Sequence, residues 1–349
     1  MVENTSMSGN PPRTLVDTGE FGVIAMLKSH FDRDHPQVVL GIDDDCALVE
    51  GPAGLLYALT CDSQVENVHF LPDIIPPRSL GRRVLGVNLS DLAAMGAVPR
   101  YALLSLILRK DLELSWLDDV IGGLQKEADT FGAVVVGGNI ARSDANLVFD
   151  LTLLGEVPRS PLFLRGNARV GDRIMVTGTL GDAAAGLVIC RGRGKSGQHP
   201  ALVERYFCPL PRITVGLALR EFGIPLAVID ISDGLIQDLG HILKRSGVGA
   251  VIEVDTIPLS PSLSAWSRES NQDPYQFALW GGEDFELLLT VPEHLADEVR
   301  QRVEDQTGVP VTSIGRILPG DRLTLRKNGR DYRTDQAGWN HFQAETKNS

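Results

Sequence analysis

The chain has 349 residues, 43% of them apolar and 22% charged, with a net charge of −12 at pH 7. This is the profile of a globular protein of two domains and excludes a mainly disordered chain. The acidic balance without a long basic run argues against nucleic acid as a main partner, and no apolar run approaches the roughly 20 residues that span a bilayer.

Residues 1–19 are polar, lack the apolar core of a signal peptide, and are expected to form a disordered leader. EFGVIAMLKSHF, from Glu20, has helical spacing. VVLGIDDDCALVE and GLLYALTCDSQVENVHF read as two strands that end or turn at acidic residues, before a proline-rich loop. SLGRRVLGVNLSDLAAMG reads as helical with a break around Asn88 to Asp91, so Asp91 is either a helix cap or one of several acids meeting around a cation. YALLSLILR reads as a buried strand, WLDDVIGGLQKEADTFG as an amphipathic helix, and AVVVGGN and NLVFDLTLLGEVP as further strands. Strict strand–helix alternation is missing, so the expected class is α+β. The boundary is placed near residue 158, giving domains at 20–158 and 159–349. In the second part, DRIMVTG, PLAVIDIS, GAVIEVDTIP, FELLLTVP and VTSIGRIL read as strands. DAAAGLVICR, ITVGLALREFG, GLIQDLGHILKRSG, DPYQFALWGG and EHLADEVRQRVEDQTG read as helices.

Carboxylates recur at the ends of apolar runs: Asp43, Asp44 and Asp45, then Asp62, Asp91, Asp230 with Asp233, and Glu283 with Asp284. Taken singly, each is ordinary as a cap or turn residue. Together they match the oxygen-rich donor set that a hard cation such as Mg²⁺ shares with substrate phosphates. Three adjacent acids repel one another unless solvated or neutralised. GRGKS at 192–196 is not a P-loop, because Ile189 stands where the motif needs glycine. The helix after VTGTLG offers its N-terminus to a phosphate, or is a plain connection with Asp182 as its cap; the plain connection is preferred. Four cysteines without a CxxC pair argue against zinc and fit a reducing compartment, the cytoplasm.

With LGIDDDCALV, TCDSQVENVHFLPD, VNLSDLAAMGAVP, VVGGNIARS, GDRIMVTGTLGDAAAGL, VIDISDGLIQDLGHI, GGEDFELLLT and GWNHF in order along nearly the whole length, the chain resembles the thiamine-monophosphate kinases. They belong to a superfamily that includes aminoimidazole ribonucleotide synthetase. The resemblance implies a two-domain α+β fold, a homodimer formed through the first domain's sheet, and an active site in the cleft between domains. It implies transfer of the γ-phosphoryl group of ATP to thiamine monophosphate, in line and without a phosphoenzyme, assisted by two or more Mg²⁺ ions. Asp45, Asp62, Asp91, Asp230 and Asp233 would then hold metal, with Cys61 and Asn139 in the same set, and Asp45, Asp91 and Asp233 would be catalytic. Gly138, Asn139, Arg165 and Ser232 would contact ATP; His69, Glu283 and Trp339 would face the thiamine phosphate. No nucleic acid or membrane partner is implied.

The chain departs from the family's usual pattern at Asp43, where glycine is common, at Asn139, often an aspartate, and at Cys61, commonly threonine. A sulfur ligand suits Mg²⁺ poorly, so any ligand from Cys61 would be its carbonyl. Two other readings stay open: a ligase-like enzyme of the same superfamily, and a silent nucleotide-binding scaffold.

Overall fold

The computed structural model describes residues 14–193 and 199–332. It divides into two compact units, the smaller holding α1 and the larger beginning at Pro36. α1 (Leu15–Phe31) is two helical pieces joined by a kink at Gly19 (φ 66): the second begins at the expected Glu20, and a short turn precedes it because Thr14 and Asp17 form a capping box, each side chain bonding the other's backbone N–H.

In the larger unit the expected first strand is broken in two, β1 (Val38–Leu40) and β2 (Ala47–Glu50), with the three aspartates in the loop between them. β3 (Leu55–Val65) follows, then α2 (Pro77–Ala94), β4 (Val98–Leu108), α3 (Leu114–Phe131), β5 (Val134–Arg142) and β6 (Val148–Pro158). They form a six-stranded sheet in the order β1-β2-β3-β6-β4-β5, in which only β4 and β5 run parallel. β4 was expected to be buried, yet Tyr101 and Leu103 are half exposed, on the face of the sheet away from α2. β5 is an edge strand, exposed along its whole length.

The second half contributes β7 (Arg173–Thr177), α4 (Asp182–Val188), α5 (Pro200–Phe207), α6 (Ile213–Arg220), β8 (Ala227–Asp230), α7 (Leu235–Ser246) and β9 (Gly249–Glu253). It continues with α8 (Pro261–Ser270), α9 (Pro274–Trp280), β10 (Leu287–Val291), α10 (Ala296–Thr307), β11 (Val311–Leu318), β12 (Leu323–Lys327) and β13 (Arg330–Asp331). The sheet order is β13-β12-β9-β11-β7-β10-β8. β7 and β10 in its middle are largely apolar and buried because both faces are covered. Met175 of β7 joins one core, with Leu89, Leu151, Leu219 and Val303, whereas its neighbours Ile174 and Val176 join another with Ile229, Leu239 and Ile252.

The break expected at Asn88–Asp91 is absent: α2 is one continuous helix, apolar residues and polar ones alike buried along most of it. It contacts β3 and β6 of the first sheet, α3 beside it, and α6 and β8 of the second half. α2 and α3 approach closely through two glycines. A Cβ on Gly81 would lie 1.8 Å from the Val120 carbonyl oxygen, and one on Gly123 would lie 2.0 Å from that of Arg78. Gly123→Ala must therefore push the helices apart, and we expect a loss of about 2 kcal/mol or more, read as a lower urea midpoint.

Candidate active site

Three rungs join β3 to α2. Alternate β3 residues face the helix: the Thr60 hydroxyl donates to Asp91 Oδ2, the Asp62 N–H donates to Asn88 Oδ1 at 3.2 Å, and Gln64 Oε1 accepts from Arg83 Nε at 2.8 Å. Asp62 thus lies inside a strand and Asp91 inside the last turn of a helix, rather than at the strand end and helix start expected. A carboxylate in a last helical turn faces the negative end of the helix dipole, so Asp91 is no cap.

Asp45 arrives from the loop before β2 and Asp230 from the end of β8. Ligand oxygens of Asp45, Asp91 and Asp230 all lie within 4.8 Å of one another. Arg165 closes one side: its Nη2 donates to Asp45 Oδ1 at 2.6 Å, and its backbone N–H donates to Asp44 Oδ2 at 3.1 Å. Asp45 Oδ2 is buried with no hydrogen-bond donor. Burial raises all four carboxyls: Asp44 to about 7, with Asp45 adding to the rise, and Asp230 to about 8, again with Asp45 adding. Asp45 is raised by burial against the pull of Arg165, and Asp91 well above its usual range by burial and then by Asp62, Asp230 and Asp45. An undonated buried oxygen, converging carboxylates and an all-oxygen donor set fit a hard divalent cation.

Asp43 adopts φ 141, a left-handed conformation better suited to glycine, and its carboxylate pairs with Arg245 at 2.7 Å on the surface. Relief of that strain, about 1–3 kcal/mol, outweighs an exposed ion pair worth about 0–1 kcal/mol. Asp43→Gly is expected to stabilise the fold by about 1 kcal/mol, seen as a higher urea midpoint.

The loop after β8 lies along the loop before β10. Glu283 donates its N–H to the Ser232 carbonyl at 2.8 Å, and Phe285 donates to Ile231 at 2.9 Å, extending the β8–β10 pairing. Ser232, Asp233 and Glu283 are thereby held beside Asp230. Asp233 Oδ2 accepts from Gln237 at 2.9 Å, and the buried Asp238 accepts the Asp233 and Gly234 N–H groups. Glu283 has φ 71. His69 Nδ1 accepts the Val65 N–H at 3.0 Å, so this nitrogen is unprotonated and the ring is fixed just beyond β3.

The side chains of Cys61 and Asn139 stand on the face of the first sheet away from α2, Asn139 in the row set by the Ser63–Asp150, Asp150–Ser105 and Ser105–Asn139 pairings and Cys61 one row over, opposite Thr152; the Cys61 carbonyl, the ligand expected, stays next to Asp62 in β3. There Cys61 Sγ donates to Asp150 Oδ1 at 3.4 Å, as does the Ser63 hydroxyl at 3.1 Å. Gly138 is required by the backbone: at φ 156, a Cβ would meet the Leu104 carbonyl oxygen at 1.7 Å. Trp339 lies outside the described residues. At α4 the cap is not Asp182: its oxygens accept the Thr179 and Ser260 hydroxyls, while Asp284 accepts the Gly181 and Ala183 N–H groups. A protein carboxylate thus sits where a phosphate was considered.

Two family models match the chain, AIR synthase related protein, N-terminal domain, over residues 43–157, and AIR synthase related protein, C-terminal domain, over 169–328. Sheet pair and acid cluster together define a two-domain protein of that class. Within it, the chain is 40% identical over 335 residues to a thiamine-monophosphate kinase of Haemophilus influenzae, covering 93% of this chain and 98% of that one. It is 38% identical over 328 residues to that of Escherichia coli, with the same coverage. A solved structure described as AaThiL complexed with AMPPCP and TMP superposes with a TM-score of 0.82 at 33% identity, over 95% of this chain and 99% of that chain. The chain belongs to the thiamine-monophosphate kinase family.

Proposed function

We propose that the protein transfers the γ-phosphoryl group of ATP to the phosphate of thiamine monophosphate, giving ADP and thiamine diphosphate. The observation that carries this reading is the convergence of Asp45, Asp91 and Asp230 beside Arg165, in a chain alike along its length to these kinases. Asp45, Asp91 and Asp230, with Asp62 and Asp233, would hold Mg²⁺, which when bound neutralises phosphate charge and orients the reacting oxygens. Phosphoryl transfer asks mainly for positioning and electrostatic stabilisation, so no protein nucleophile is needed. Arg165 fixes Asp45 and presents a cation towards the nucleotide, with Ser232 as a further ATP contact, whereas Gly138 and Asn139 lie on β5, separated from β3 by β6 and β4. Glu283 and His69 face the acceptor.

The exposed Tyr101 and Leu103 on the face of the first sheet away from α2 and the exposed edge strand β5, with Val134, Val136 and Ile140 largely open, support a homodimer through this sheet. In that assembly Cys61, Asp150 and Asn139 would lie at the interface. No helix among the described residues is long and apolar enough to cross a membrane. With four unpaired cysteines and two water-soluble phosphorylated substrates, we place the protein in the cytoplasm.

The test is incubation with Mg²⁺, ATP and thiamine monophosphate, followed by chromatography for thiamine diphosphate. ADP produced only with a different acceptor would favour a ligase-like enzyme, and ATP binding without turnover a silent scaffold.

A further inference from the structure

Arg83 is the largest fully buried side chain, only 1% exposed. A buried guanidinium is costly unless every edge is met, and here the fork is shared among three elements. Nε donates to Gln64 Oε1 of β3 at 2.8 Å, Nη1 donates to the Tyr206 carbonyl of α5 at 2.8 Å, and Nη2 donates to Glu283 Oε1. The guanidinium also lies 5.4 Å from the centroid of the Tyr206 ring. Its one carboxylate partner, Glu283, is partly open to solvent and held at a positive φ.

We propose that Arg83 is a positioning residue for the acceptor site. It reaches from the first half of the chain to pin the Glu283 carboxylate and occupies Oε1, so that Oε2 is the oxygen turned to the acceptor. This rests on the reading that Glu283 faces the thiamine phosphate. A planar fork pre-organised by Gln64 and the Tyr206 carbonyl leaves the carboxylate one orientation, which a flexible ammonium would not do. The site is thereby tuned to an acceptor with a cationic or hydrogen-bond-donating ring near its phosphate.

The test compares wild type, Arg83→Lys, Arg83→Met, Glu283→Gln and the double variants by steady-state kinetics, with ATP and thiamine monophosphate varied separately. We expect both Arg83 variants to raise KM for thiamine monophosphate by at least about tenfold, the loss of one charge-assisted hydrogen bond, with KM for ATP changed less than about twofold. Combined with Glu283→Gln, they should add little. If Arg83→Met does not fold, Arg83→Lys carries the comparison. Equal rises in both KM values, or full additivity with Glu283→Gln, would overturn the positioning role. A wild type that does not phosphorylate thiamine monophosphate would instead overturn the reading of the site itself.

Discussion

Asp91→Asn is expected to reduce kcat by about 10³-fold or more while leaving the metal-free protein no less stable than wild type. Asn keeps the shape and still accepts from Thr60, so α2 stays packed. What disappears is one of three carboxylates that on the proposed reading share a cation, and charge stabilisation by a bound metal contributes several kcal/mol to a phosphoryl-transfer barrier, each 1.36 kcal/mol being tenfold. Without the cation, the substitution relieves repulsion that the pile-up of Asp62, Asp230 and Asp45 around Asp91 creates. Rapid-quench turnover and urea unfolding in EDTA check the two halves. A variant that melts early yet turns over normally would mean that Asp91 serves only the fold.

The second large effect is on stability against pH. In the folded protein Asp44 titrates at about 7 and Asp230 at about 8, against 3.8 for an unperturbed group. A raised folded pKa favours folding while the group is protonated. That stability is fully present below the unfolded value and is lost as pH rises through the folded one. The metal-free protein should therefore lose stability steadily between about pH 5 and 8, and Mg²⁺, binding the ionised forms, should restore progressively more. Scanning calorimetry should show a Mg²⁺-induced rise in Tm that is larger at about pH 8.5 than at about pH 6. A rise equal at both, or larger at low pH, would mean that the carboxylates are already ionised without the ion.

The acids were legible in the sequence because each stands out against an apolar run, and the family resemblance gave them a common purpose. Their local settings were less legible. Asn88, Ser90 and Asp91 looked like a helix break because polar residues in an apolar stretch usually mean exposure. Here α2 is enclosed between two sheets, and its polar residues point into the site or onto β3. Arg83 escaped notice for the same reason: beside Arg82 it reads as one of two surface arginines, and only the fold shows one of them buried. Strand alternation puts the Cys61 side chain on the opposite side of β3 from Asp62, which leaves only its carbonyl, the ligand expected, for the site. That separation follows from a period of two, once the register is known. Asp150 carried no signal in the chain, since its importance comes only from sharing a row with Ser63 and Asn139.

The three rungs between β3 and α2 make the helix a ruler. Arg83 and Asp91 are eight residues apart, about 12 Å along a helix axis, and their partners Gln64 and Thr60 are four apart on the strand, about 13 Å, so the two scales agree. On the proposed reading, one end marks the acceptor and the other the phosphates. One residue inserted between positions 83 and 91 would swing either end by about 100° and uncouple the measure.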